Sequence, residues 1–326
     1  MTYPQARILS GLMGVCVGDA LGIPAKFRSR AACQRAPVHD MEGYGTYDVP
    51  PGTWSDDSAL TFCQAEALCE GSESTPELLH RTAAYFSRWY RGEIWQTPRE
   101  RLDMGQTLAT ALRCLHAGIS PLESGERHER SNGSGSLMRI LPLAFCAAHL
   151  EFEELLTRVH QISAMTHAHP RSQMACGLYI SVALGLLQDE PAALAYVNGL
   201  QRVQPYYQAP PYRHELPHFQ RLWSGEVDTL TPRDLHSDGY VVNMLEIALW
   251  CLLNSNSYAE AVLTAINLGE DTDTAGAVTG GLAGLCFGAK DIPRDWMQRV
   301  AKFYEIFDLA KRLTTALSTT VPVSSA

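Results

Sequence analysis

Excess positive charge is missing from this 326-residue sequence: 26 lysines and arginines face 35 aspartates and glutamates, for a net charge of −9. A protein that tracks nucleic-acid phosphates needs a basic face, so nucleic acid is not an expected partner. One small anion held by backbone N–H groups remains compatible with an acidic chain. Also missing is any Cys-x-x-Cys pair among the nine cysteines. They are scattered, mostly through apolar stretches, and read as free core thiols of a reducing, cytoplasmic compartment; this spacing does not suit a zinc site. No uninterrupted apolar window of about 18 residues occurs, so no membrane span is expected. The run Ile8 to Val17 is broken by Gly11 and Gly14 and reads as a buried helix, not a signal segment. Alternating strand patterns are scarce and no repeat of constant period exists.

What is present is helical periodicity. Ala59, Phe62, Cys63 and Ala67 fall on one helix face, as do Trp296, Val300, Phe303, Phe307 and Ala310. Similar patterns predict helices around 5–20, 76–91, 105–117, 136–149, 151–165, 171–188, 240–253, 258–268 and 274–287. The expected fold is all-α: a compact multi-helix single domain over 1–317, followed by a disordered tail, 318–326. The Pro- and Tyr-rich stretch 204–217 reads as a surface loop.

Two acidic clusters open helices. In the first, Ser55-Asp56-Asp57, the hydroxyl and carboxylates suit an N-cap and the helix dipole, and equally a hard divalent cation. The second, Asp271-Thr272-Asp273-Thr274, repeats the arrangement before an apolar helix. Like charges this close repel unless a cation or proton intervenes, so the pair of clusters points to a binuclear centre across a cleft. Neither cluster has the Gly and Glu of an EF-hand loop. Asn132-Gly133-Ser134-Gly135-Ser136-Leu137-Met138-Arg139 is a glycine-serine loop fit to approach a phosphate, without the Lys-Ser/Thr ending of a P-loop. His167 and His169 flank Ala168 between two helices and suit hydrogen bonding better than ligation of an oxygen-loving metal.

These segments, together with Gly18-Asp19-Ala20-Leu21-Gly22 and Asp103-Met104-Gly105, resemble the ADP-ribosylglycohydrolase family in this order over positions 8 to 290. The resemblance implies an all-α fold with a central cleft holding two Mg²⁺ ions, for which Mn²⁺ can substitute. It implies Ser55, Asp56, Asp57, Asp271, Asp273 and Thr274 as metal ligands, with Asp57 or Asp273 activating water. Asp103, Gly105, Gly135, Ser136, Met138, His167 and Tyr240 fall on segments that contact ADP-ribose in relatives. The implied activity is removal of ADP-ribose from modified protein side chains, most readily N-linked to arginine, by a monomer. Alternatives are O-linked (serine) or small ADP-ribose conjugates, or a non-catalytic ADP-ribose-binding module. Lys26 stands where relatives carry a glutamate. An ammonium close to a dication is unfavourable, which predicts that Lys26 points out of the cleft on a mobile loop and is dispensable.

Overall fold

The computed structural model of the chain describes residues 3–71, 74–97 and 104–319. The early helices are α1 (Gln5–Gly22), α2 (Arg30–Arg35), α3 (Asp56–Cys69), α4 (Thr75–Tyr90), α5 (Gln106–His116) and α6 (Pro121–Ser124). The middle ones are α7 (Phe152–Ala164), α8 (Pro170–Leu187), α9 (Ala192–Tyr207), α10 (Gln220–Trp223) and α11 (Val241–Leu253). The chain closes with α12 (Tyr258–Ile266), α13 (Thr272–Phe287), α14 (Arg294–Arg299) and α15 (Phe303–Thr319). No strand forms among the described residues, only isolated bridges such as Gly133 with Tyr240. The fold is all-α.

Helices apolar on every side lie at the centre, and helices apolar on one side surround them. Helix α4, for example, buries Leu78, Leu79, Phe86 and Trp89 on one side and exposes Pro76, Glu77, His80 and Ala84 on the other. By contrast α1, α8, α11 and α13 are buried along almost their whole length. By length and composition alone α1 could cross a membrane, yet nearly all of it is buried inside this core.

The central pair is α1 and α13, packed antiparallel through glycine. A Cβ on Gly18 would fall 2.0 Å from the Gly276 carbonyl oxygen, and one on Gly14 would fall 2.3 Å from that of Gly280. The helices therefore touch backbone to backbone. Around this seam, Tyr258 and Tyr179 donate their hydroxyl hydrogens to the carbonyls of Gly14 (2.7 Å) and Val278 (3.1 Å). The Thr272 hydroxyl bonds the Gly22 carbonyl at 2.7 Å, fixing the start of α13 against the end of α1. This register brings Asp19 and Lys26 beside the second acidic cluster.

Three expectations about elements change. The single helix expected over 136–149 is instead a 3₁₀ turn at Ser134–Ser136 and a 3₁₀ segment at Leu141–His149. Pro142 has no N–H to give to the Met138 carbonyl, which accepts the Thr61 hydroxyl instead, at 3.3 Å. The stretch 204–217 is not a surface loop. Helix α9, unforeseen in the sequence, runs to Tyr207 with Pro205 inside it, and a 3₁₀ segment follows at Tyr212–Phe219. His160 lies between the hydroxyls of Tyr207 and Tyr212, at 3.0 and 2.9 Å, so aromatic packing orders this region. Of the expected tail 318–326, Ser318 and Thr319 end α15 and the remainder lies outside the described residues.

Candidate metal centre and ligand cleft

The first turn of α3 has unpaired N–H groups that two caps satisfy. The Ser55 hydroxyl accepts from the Asp57 N–H at 3.2 Å. Asp19, reaching over from α1, accepts the N–H groups of Ser55 (3.0 and 3.1 Å) and Ser58 (3.0 Å) and the Ser58 hydroxyl (2.6 Å). With the helix end capped by these groups, Asp56 and Asp57 face the cleft. The buried Asp57 Oδ2 has no hydrogen-bond partner.

The second cluster is held by a strained loop. Gly269 and Glu270 have φ of 84° and 61°, and Phe27 opposite has φ of 64°. The Phe27 N–H bonds the Glu270 carbonyl and the Glu270 N–H bonds the Arg28 carbonyl, both at 2.7 Å. The Asp271 N–H is taken by the Ser237 carbonyl at 2.9 Å, and Asp273 Oδ1 accepts from the Thr274 N–H at 2.8 Å. Asp271, Asp273 and Thr274 thereby line the same cleft as Asp56 and Asp57. Carboxylate oxygens of Asp19, Asp57 and Asp273 all lie within 4.8 Å of one another.

Burial and mutual repulsion raise the carboxyls of Asp19, Asp56, Asp57 and Asp273. Asp19 is pushed up to about 7, first by burial and then by the charge of Asp273, against the donors from Ser58 and Ser55. Burial also raises Asp273, to about 6, with Lys26 holding it down and Asp271 pushing it up. Asp56 and Asp57 are raised well above the ordinary range, again chiefly by burial and then by neighbouring acids. A carboxylate set with an unpartnered buried oxygen fits a hard divalent cation, whose charge would reverse these shifts. Asp19 was not foreseen as part of the centre; an acid inside the otherwise apolar Leu12–Leu21 run was its signal. Its two oxygens already accept four hydrogen bonds, so it serves as a cap that fixes Ser55 and the acids after it.

Lys26 overturns its expectation. It is 5% exposed, and its ammonium pairs with Asp271 Oδ1 and Asp273 Oδ1 inside the cluster. Repulsion from a neighbouring dication was the argument for an outward lysine. The two carboxylates, both within hydrogen-bonding reach, draw the ammonium into the cluster instead.

Above the acids the cleft encloses about 500 Å³, walled by Gly105, Arg130, the 133–135 loop, Met138 and His167. Two hydrogen bonds brace the loop: Ser134 N–H to the Gly239 carbonyl (2.9 Å) and Val241 N–H to that of Asn132 (3.0 Å). Burial, and then the Arg139 charge, lowers His167 to about 3, so its ring is neutral at working pH. Arg139 donates to the Thr166 hydroxyl (2.8 Å), and that hydroxyl oxygen lies 2.8 Å from His167 Nδ1. With the Thr166 hydrogen directed to Nδ1, His167 Nε2 carries the ring hydrogen, 3.2 Å from where a Cβ on Gly135 would sit.

Other residues singled out in the sequence sit differently. Ser55 is the N-cap itself, beside the cleft wall. Ser136 is fully buried and accepts the Ser163 hydroxyl at 2.9 Å, so its side chain turns from the cleft into the core. Tyr240 is the N-cap of α11 and packs its ring 5.9 Å from the Arg171 guanidinium, away from the cleft lining. Asp103 lies outside the described residues. Arg130, not picked out in the sequence, adds a cation to the cleft wall.

Comparison with known proteins gives consistent similarities. The sequence pattern of the ADP-ribosylglycohydrolase family matches residues 2–321. The chain is 31% identical over 317 residues to an ADP-ribosylarginine hydrolase of Pseudomonas putida, covering 96% of this chain and 80% of that one. It is 26% identical over 308 residues to the ADP-ribosyl-dinitrogen reductase glycohydrolase of Rhodospirillum rubrum, covering 92% of each. A solved structure titled "ADP-ribosylglycohydrolase-related protein complex" superposes with a TM-score of 0.76 at 27% identity, over 96% of this chain and 98% of that one.

Proposed function

This chain belongs to the ADP-ribosylglycohydrolase family, and from that premise we propose that it is a Mg²⁺-dependent hydrolase that removes ADP-ribose from arginine side chains of proteins. The observation that carries the proposal is the meeting of both acidic clusters at the foot of a cleft whose upper wall offers His167, Arg130 and a glycine loop. Asp56, Asp57 and Asp273, with the Thr274 hydroxyl at their side, are the groups that would hold the cation; Mn²⁺ has the same oxygen preference. Bound there, the ion supplies polarisation of a water and a fixed place for the ribose hydroxyls.

The chain's own residues do the rest. His167 Nε2–H and Arg130 suit the pyrophosphate, and the 133–135 loop, lacking a Cβ at Gly133 and Gly135, permits its close approach. Asp57, with one carboxylate oxygen toward the cation, would use its other oxygen to take a proton from water. Asp273 is less suited, since Lys26 and the Thr274 N–H already occupy its Oδ1. As the C–N bond between ribose and guanidinium breaks, positive charge grows on the sugar and the clustered carboxylates stabilise it. Water adds to the sugar carbon, and the guanidine leaves with a proton.

Proteins carrying arginine-, serine- and acid-linked ADP-ribose, incubated with Mg²⁺ or with chelator, test this. Release of free ADP-ribose is expected from the arginine linkage alone, and only with Mg²⁺. Release from serine instead would reassign the linkage, and binding without release on any linkage would make this a binding module.

The ligand placement has its own test. ADP-ribose is expected to bind more tightly than AMP, since only the former brings a pyrophosphate to both His167 and the loop. In Gly135→Ala the new Cβ would sit 2.7 Å from His167 Cε1 and displace the ring. Losing one hydrogen bond to a charged group costs about 1.5–3 kcal/mol, so ADP-ribose affinity should fall about tenfold or more by calorimetry. Unchanged affinity would place the ligand elsewhere.

A further inference from the structure

Resting on the metal-dependent reading above, we infer that this chain holds one divalent cation, not two, and that the Lys26 ammonium is the built-in occupant of the second position, between Asp271 and Asp273. The geometry places Nζ against Oδ1 of both acids. Those oxygens are what a cation on the Asp271 side would need, and a dication sharing them would stand within a few ångströms of an ammonium, whose charge repels it. Mg²⁺ demands near-ideal oxygen geometry at close range, and a positive neighbour sharing its ligands opposes it.

The main chain at Lys26 is anchored beside the cluster on both sides of the residue. Its carbonyl accepts the Thr46 hydroxyl at 2.7 Å. Its N–H bonds the Ile23 carbonyl at 3.3 Å, and the next residue is locked to Glu270 at 2.7 Å. Phe27, at φ 64°, turns the chain so that the preceding side chain enters the cluster while the Phe27 ring stays outside, 64% exposed. The two sides of the cluster are then chemically unlike. On the Asp271 side a fixed monovalent cation bridges two carboxylates; on the other side the buried Asp57 Oδ2 has no partner and remains available to a dication.

Counting bound Mn²⁺ on the full chain tests the assignment without reference to turnover. Equilibrium dialysis with elemental analysis is expected to give one ion per wild-type chain, and electron paramagnetic resonance a spectrum free of coupled Mn²⁺ pairs. Lys26→Met keeps the apolar stem and removes the charge; it is expected to bind two ions and show the coupled-pair signal. Asp271→Asn in the wild-type background is expected to keep its single ion and gives an answer even if Lys26→Met fails to fold. Two ions in the wild type would overturn the inference, as would a folded Lys26→Met that still binds one, or loss of the ion in Asp271→Asn. No ion in any of these proteins would instead remove the metal from the proposed function itself.

Discussion

Replacing Asp57 with asparagine is expected to raise the melting temperature of the metal-free protein while abolishing the further rise that Mg²⁺ gives the wild type. The two effects have one origin. Without a cation, Asp57 stands buried among Asp19, Asp273 and Asp56, all of which push its pKa up after burial itself does. An amide of the same shape removes that repulsion. With the cation, the same carboxylate is a ligand, and binding to the native state alone adds about 2.7 kcal/mol at a hundredfold excess over Kd. The variant should forfeit that gain. Hydrolysis should fall further, by about a thousandfold, because a positioned base contributes about 10²–10⁴ and the metal would be lost with it. Thermal melts with Mg²⁺ and with chelator, beside a release assay, check all three. An unchanged metal-induced shift would exclude Asp57 from the centre.

Gly18→Ala is expected to destabilise the protein by about 2 kcal/mol and to weaken metal binding with it. Two terms compete. In an exposed helix interior, alanine is better than glycine by about 1 kcal/mol. Here the added Cβ would meet the Gly276 carbonyl oxygen at 2.0 Å, and that oxygen belongs to a helix backbone with no rotamer to escape into. Overpacking of this kind costs about 1–3 kcal/mol, and a clash with rigid backbone belongs at the upper end. To relieve it α1 and α13 must part, carrying Asp19 and Lys26 away from Asp273. Gly105→Ala is the control: nothing lies within 4 Å of its added Cβ, so little change in stability is expected. Equal melting temperatures for Gly18→Ala and wild type would mean the seam is looser than described.

Most helices were legible in the sequence because a 3.6-residue apolar period survives wherever one face is solvated, as in α4 and α15. The signal failed where other chemistry intervened. Pro142 turned an apolar run into 3₁₀ segments, and the tyrosines and prolines after Gln204 disguised an ordered region held by His160. The acidic side chains that meet in the cleft were visible because charge crowding at a helix start is local. What Lys26 and Asp19 do was not, since both act across the α1–α13 seam, and a contact between positions 26 and 273 leaves no trace in local pattern. Ser136 and Tyr240 show the converse: belonging to a recognisable segment does not say which way a side chain turns.

The α1–α13 seam also sets a schedule for biosynthesis. The Thr272–Gly22 contact joins residues 250 positions apart, so α1 is synthesised long before the helix that covers its glycine face exists. At about 5–20 residues per second the delay is on the order of 10–50 s. Throughout it, the apolar α1 lacks the helix that covers its glycine face, and half of the acidic cluster has no counterpart. Any cation held jointly by the acids of α3 and α13 is therefore acquired only after translation has passed α13.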